Sequence, residues 1–304
     1  MQTIIIKLLS MFFPLTMGYV LKAVGVFGPT DYKILAKVTF NITLPCAVIA
    51  SFGSQRLDMS LLGVSLAALA LNIVNCLYAV LTSAPIKDGK TRCMDIMCVT
   101  GFNMGNFLIP FAQQFMGNTG VAVAALFDAG NSPMCTGGHY IVGSSVCRVD
   151  GEKLTVKDVL RRLTSSVPLM VYILMILFVL LHISIPAPIT EICQLTGSAN
   201  AFVSMFMMGM MFEFHFNREY MKEAAFALVR KYLFAAIAAA VFYTLLPFDL
   251  TVRKVMVLCA FAPIPSLSAV FTERFDGNVG LCSFITSCSF IISSVIIAVL
   301  VAVL

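Results

Sequence analysis

Apolar runs recur along the chain, separated by clusters of polar residues, glycine and proline. Breaking it at those clusters leaves ten apolar segments, at 4–22, 32–52, 59–82, 93–115, 120–146, 165–183, 189–212, 229–248, 253–272 and 279–303. A helix of about 20 residues spans the ~30 Å hydrocarbon core of a bilayer. The pattern therefore predicts an all-α integral membrane protein of ten transmembrane helices. An even number of crossings places both termini on one side.

The loops predict which side that is. Sixteen of the twenty basic residues fall in or beside the loops after the first, third, fifth, seventh and ninth segments, among them Lys22, Lys87, Arg92, Lys153, Arg162, Arg230 and Lys231. The other side holds Lys7, Arg56, Arg253 and Lys254. Basic residues are retained in the cytoplasm, so both termini are expected on the extracytoplasmic side of the cell membrane. The first segment runs on to Tyr19 and Val20 with no small-residue cleavage site and is expected to remain as a span.

The longest polar stretch, 148–164, divides five segments from five. It is read as a cytoplasmic linker between a first five-helix repeat, 1–147, and a second, 165–304. A trace of duplication supports the division. Phe115-Met116-Gly117-Asn118-Thr119-Gly120 follows the fourth segment and Phe275-Asp276-Gly277-Asn278-Val279-Gly280 follows the ninth, both F-x-G-N-x-G. An odd number of spans per half requires the halves to be inverted, as in many secondary transporters.

Two of the segments are broken. Gly101-Phe102-Asn103-Met104-Gly105-Asn106-Phe107-Leu108-Ile109-Pro110 places two glycines, two asparagines and a proline inside the fourth, and Pro263-Ile264-Pro265-Ser266 interrupts the ninth, its counterpart. Proline removes a backbone donor, and an unsatisfied backbone group in hydrocarbon costs several kcal/mol. Paired breaks of this kind mark the binding site of a carrier. Asn103, Asn106, Pro110, Pro263, Pro265 and Ser266 are accordingly candidates for substrate contact. The asparagine amides can donate to a carboxylate, and half-helix amino ends favour an anion. Gly101 and Gly105 can serve as a hinge or as a small-xxx-small packing face. Asn41 and Pro45 interrupt the second segment, where bundle packing competes with substrate contact.

Asp128 lies inside the fifth segment, where an aspartate costs about 2.5 to 3.5 kcal/mol. With Asn131 it is the candidate site for a coupling proton or sodium ion; scaffolding through hydrogen bonds is the other reading. His139 reads as a satisfied polar group before a proton relay, and Glu213 and His215 as interfacial. Lys7 is placed to snorkel outward.

Composition narrows the classes further. Hydrophobic residues make up 60% and charged residues 12%, far from soluble usage. The ten cysteines have no C-x-x-C pairing and read as small buried hydrophobes. No H-E-x-x-H, G-x-S-x-G or Walker A motif is present, and three histidines make a histidine metal centre improbable. The chain is therefore read as no enzyme, with no cofactor or metal and no nucleic-acid partner. Its net charge of +5 is assigned to cytoplasmic loops.

Several motifs together carry a family likeness: Gly18-Tyr19-Val20-Leu21, Asn41-Ile42-Thr43-Leu44-Pro45, Asn103 with Pro110, Phe127-Asp128-Ala129-Gly130-Asn131, Met208-Gly209, and Pro263 followed by Thr272-Glu273-Arg274-Phe275-Asp276. Over nearly its whole length the chain resembles the auxin efflux carrier family, which includes bacterial carriers of the malonate or malate type and the plant auxin exporters. The resemblance implies two inverted five-helix repeats in a fold like that of bile-acid symporters and sodium/proton antiporters. In it the broken helices four and nine cross beside the substrate site. Asn103 falls on the family's asparagine seven before the crossing proline, Pro110 on that proline, and Pro263 on the proline of helix nine. Leu108 and Phe102 stand where the family places small residues or proline, which narrows the cavity or shifts its preference.

The expected function is a secondary carrier that moves a small organic anion, a mono- or dicarboxylate, by elevator-like alternating access. Spans three to five and eight to ten would move against spans one, two, six and seven, a division the resemblance implies. A non-transporting sensor on the same fold and, behind it, an intramembrane enzyme are the alternatives. The expected surroundings are a lipid bilayer, with a homodimer left open.

Overall fold

The computed structural model describes residues 2–54, 61–149, 154–212 and 218–303, with side chains from residue 6. Arg56, Lys153, Glu213 and His215 lie outside the described residues. The described residues contain no strand and form fifteen α-helices. The first half holds α1 (Gln2–Ala23), α2 (Tyr32–Val38), α3 (Leu44–Gly53), α4 (Leu62–Thr82), α5 (Gly89–Val99), α6 (Ile109–Pro133) and α7 (His139–Cys147). Next come α8 (Val156–Thr164), α9 (Val167–Leu180), α10 (Ala187–Ser198), α11 (Asn200–Met211), α12 (Met221–Thr244), α13 (Leu250–Ala260), α14 (Leu267–Glu273) and α15 (Val279–Val303).

Among the described residues five helical stretches are long and apolar enough to cross a bilayer: Ile6–Ala23, Tyr32–Gly53, Leu62–Thr82, Arg218–Thr244 and Val279–Val303. They coincide with the first, second, third, eighth and tenth segments of the hydropathy pattern. The sixth segment corresponds to α9, which meets α8 at a bend of 75°. The remaining four fall on interrupted helices: α5 with the start of α6, the rest of α6 with α7, α10 with α11, and α13 with α14. Leu9, Phe13, Leu66, Ile73, Leu77, Ile237 and Val295 are each more than half exposed. So much outward apolar surface is what hydrocarbon covers in a membrane protein.

One boundary needs correction. The eighth segment, placed at 229–248 with Arg230 and Lys231 counted among the loop residues, is a helix that already begins at Met221. Both basic residues are buried in α12, at 7% and 3% exposure. The flanking Ala224–Leu228 and Leu233–Ala240 are helix formers, so the helix runs through the charges. Those two residues therefore leave the count of loop charges.

The helices pack as two groups. In one, α11 lies along α1 and α2, and α3 lies against α9 and α10. Gly18 and Gly209 make the first contact: a Cβ on Gly18 would overlap the Phe206 carbonyl, and one on Gly209 the Leu15 carbonyl. Small residues allow this close approach between membrane helices. In the other group α5 packs on α7, α12, α14 and α15, and α12 packs on α13 and α15. Helix α6 bridges them. Its early residues reach the first group, Gln113 donating to the Gly197 carbonyl at 2.9 Å and Asn118 to Ser54 Oγ at 2.7 Å. Gly117, at φ 61° and ψ −150°, turns the chain between these two residues. Its later residues join α4, where Ser65 Oγ donates to the Leu126 carbonyl at 2.7 Å.

Candidate functional site

Three helical interruptions share one place. Single π-helical turns occupy Thr39–Thr43, Met104–Leu108 and Met134–Gly138. The first two directly precede Pro45 and Pro110. A proline ring lacks an N–H and clashes with the carbonyl four residues back, so the ladder shifts there to wider steps. The Leu108 N–H accordingly bonds the Asn103 carbonyl, five residues back, at 3.3 Å. The third turn follows Pro133 directly. All three line the same cavity.

The breaks after α5 and α13 touch. The Asn103 N–H donates to the Pro263 carbonyl at 2.9 Å, and Ser268 Oγ to the Met97 carbonyl at 2.9 Å. Helix α5 packs on α14 while α6 packs on α13, so the leading half of each broken helix lies beside the trailing half of the other. Other backbone groups at the breaks also have protein partners. The Gly101 N–H donates to Asn75 Oδ1 at 3.2 Å, and the Gly101 carbonyl accepts from Lys231 Nζ at 3.0 Å. The Phe102 carbonyl accepts from Asn131 Nδ2 at 3.0 Å, and the Ile264 N–H donates to Ser289 Oγ at 3.1 Å. Gly101 has φ 78°, a left-handed conformation that glycine adopts without steric cost.

A cavity of about 620 Å³ opens beside this meeting point, between the two helix groups. Its polar wall comes from the breaks and from α6: Asn103, Gly105, Asn106, Asp128, Asn131, Pro265 and Ser266. The opposite wall is mostly apolar, with Phe40, Leu44, Met207, Met208 and Met211. Lys22, Tyr32, Ser166 and Phe212 come from the ends of α1, α2, α9 and α11 that adjoin the predicted cytoplasmic loops. Asp128 is the single acid among the described lining residues. Its oxygens accept from Asn131 Nδ2 at 3.0 Å and from the Tyr172 hydroxyl at 3.2 Å. Asn106 Oδ1 and Thr286 Oγ1 are buried without a hydrogen-bond partner, and both residues line the cavity. Such atoms cost free energy unless something meets them.

Each residue singled out from sequence can now be located. Asn103 faces the cavity, with Nδ2 at 3.5 Å from Ser266 Oγ, and Asn106, Pro265 and Ser266 line it too. Pro110 and Pro263 are buried behind the wall, shaping the backbone without lining the cavity. Gly105 lines it, whereas Gly101 backs it, with Pro265 and Cys135 standing where a Cβ would need room. Asn41 is exposed and donates to the Lys37 carbonyl at 2.8 Å, while Pro45 is buried. Phe102 is buried and edge-on to Phe127 at 5.9 Å, and Leu108 is fully buried. His139 is buried, its Nε2 without a hydrogen-bond partner.

Four contributors escaped the sequence reading. Lys231, besides holding the Gly101 carbonyl, lies 5.2 Å over the Phe102 ring. Asp95 pairs with Arg230 in the interior, where Arg230 also donates to Thr82 Oγ1 at 3.1 Å. Tyr172 supplies the second donor to Asp128. The available signal was the strongly apolar sequence on both sides of Arg230-Lys231, since a basic pair inside such a run must be buried with partners. Tyr172 in Val171-Tyr172-Ile173 carried no comparable signal.

Comparison with known proteins agrees with a membrane transporter. Residues 199–304 match the family model described as the Sodium Bile acid symporter family. The chain is also 26% identical over 292 residues to an "Uncharacterized transporter" of Methanothermobacter thermautotrophicus (strain ATCC 29096 / DSM 1053 / JCM 10044 / NBRC 100330 / Delta H), covering 93% of this chain and 91% of that protein. The matched family description names bile-acid symporters, not auxin efflux carriers; the finer likeness rests on the motifs quoted above. The match begins at Ala199 and takes in α11 to α15, including the second broken helix.

Proposed function

We propose that the protein is a secondary carrier that moves a small organic anion, a mono- or dicarboxylate, across the cell membrane by elevator-like alternating access, as a relative of the auxin efflux carriers. The observation that carries this reading is a cavity between two separately packed helix groups, walled by two touching helix breaks. A binding site at such an interface is exposed to one side or the other as the groups slide. The ten-span count, with 1–147 and 165–304 as inverted repeats joined through 148–164, is part of this reading. The reciprocal packing of α5 on α14 and α6 on α13 supports it. With both termini outside, the cavity mouth at Lys22, Tyr32 and Ser166 opens to the cytoplasm.

In this mechanism Asn103, Asn106 and Ser266 hold the carboxylate through their side-chain donors, and the methionine and phenylalanine wall covers the rest of the substrate. Pro110 and Pro263 hold the breaks open, with Gly101, Gly105, Asn41 and Pro45 as the points where the helices flex. Asp128, positioned by Asn131, carries the coupling ion. The coupling ion is a proton or a sodium ion; Asp128 is the single acid among the described lining residues and can carry either. An enzyme would need a second acid or a nucleophile-base pair beside Asp128.

The test is a thermal-shift screen of purified protein against mono- and dicarboxylates, aromatic acids and amino acids, followed by counterflow in proteoliposomes with each stabilising compound. Saturable exchange of an organic anion is expected. A compound that stabilises the protein but is never exchanged refutes the carrier reading in favour of a receptor.

A further inference from the structure

The stretch read as a plain linker contains a helix of distinct character. In α8 the apolar residues Val156, Val159, Leu160 and Leu163 occupy one side at helical spacing. Only half of that side is used by the protein. Val159 is buried, while Val156 and Leu160 are 68% and 56% exposed. Lys157 and Arg161, one turn apart, are exposed and flank Leu160. Asp158, the one acid on the helix, is engaged at its start: the Thr155 N–H donates to its carboxylate at 2.8 Å, and its own N–H to Thr155 Oγ1 at 3.3 Å. A basic rim and an open apolar strip thus lie side by side.

The setting says what covers them. Helix α8 meets α9 at 75°, and the exposed apolar residues Val167, Met170, Ile173 and Leu174 continue along α9. A helix turned this far from one that crosses the bilayer lies along its surface, at headgroup depth. There an apolar strip enters the acyl boundary and lysine or arginine meets lipid phosphate. The inner side of α8 bears on the cavity: Val159 packs on Gly137, where an added Cβ would come within 2.6 Å of the valine Cγ2. Gly137 belongs to the π turn whose Cys135 and Thr136 line the cavity, and Ser166, between α8 and α9, lines it as well.

We propose that α8 binds the anionic phospholipid headgroups of the leaflet in which it lies, through Lys157 and Arg161 with Val156 and Leu160 inserted below, and thereby seats one wall of the cavity mouth. The lipid contact stands alone; only its bearing on a mouth rests on the carrier reading. Hydrogen exchange of the full-length protein in nanodiscs tests it, comparing phosphatidylcholine alone with phosphatidylcholine mixed with phosphatidylglycerol. The amides of Val156–Thr164 are expected to exchange roughly tenfold more slowly in the mixed bilayer. The K157Q/R161Q variant, altered only on the exposed rim, is expected to lose that difference while α9 exchanges as before. Equal exchange in the two bilayers overturns the proposal, as does a difference that survives in the variant. Inorganic phosphate added to phosphatidylcholine nanodiscs should leave exchange unchanged; protection by phosphate would show a soluble-anion site and overturn it too. No substrate enters the measurement, so failure of counterflow and failure of lipid binding are separate results.

Discussion

Asn103→Ala separates a substrate contact from a structural one. The backbone of Asn103 joins the two breaks through its N–H and the Pro263 carbonyl, and alanine keeps that bond. The side chain has one protein partner, Ser266 Oγ at 3.5 Å, the outer limit for a hydrogen bond. Truncation should therefore cost the fold less than about 1 kcal/mol, a shift of a few degrees at most in a protein of this size. A hydrogen bond to a charged carboxylate is worth about 1.5 to 3 kcal/mol, so losing it should weaken substrate binding roughly 10- to 150-fold. The assay pairs melting in detergent with the concentration dependence of counterflow in proteoliposomes. Near-normal melting with a raised half-saturation concentration is expected. A variant that melts far below the parent, or one that transports with unchanged half-saturation, refutes the assignment.

Other consequences follow from the same contacts. Asp128→Asn keeps an oxygen toward Tyr172 but loses the charge and the titratable proton; uptake should no longer respond to an imposed pH or sodium gradient, and a persisting response would make the carboxylate scaffolding. Asp95→Leu strands Arg230 in the interior and should destabilise by about 3 to 5 kcal/mol, whereas Asp95→Leu with Arg230→Met should recover most of it. Equal melting of the single and double variants would show that the buried pair is not coupled. Gly130→Ala places a Cβ into the Ser65 carbonyl between α4 and α6 and should cost about 1 to 3 kcal/mol by overpacking. An unchanged melting temperature would mean that the two helices part freely.

The sites of interruption were legible because proline and glycine act locally. Pro45 and Pro110 must disturb any helix that contains them, and the disturbances lie immediately upstream of each. Asn103, Asn106 and Asp128 stood out for a similar reason, since polar groups inside an apolar run need partners wherever the chain goes. Lys231 was misplaced because the apolar segment was started at residue 229, whereas the helix begins ten residues before Lys231, at Met221. The apolar residues on both sides of the pair pointed to burial, but they do not say which group meets the amine: that is the carbonyl of Gly101, 130 positions away.

The sequence by itself determined the solvent of this protein, its helical class and the points where its helices cannot run straight, because hydropathy, helix length and proline chemistry are properties of short segments. Only the tertiary structure decided which break meets which. It also decided that Pro110 and Pro263 stand behind the cavity wall while Asn106 and Ser266 face the cavity, and that α8 is a surface helix with half of its apolar side uncovered. Those outcomes depend on contacts between residues far apart in the chain, and a linear pattern holds no record of which partner satisfies a buried polar group.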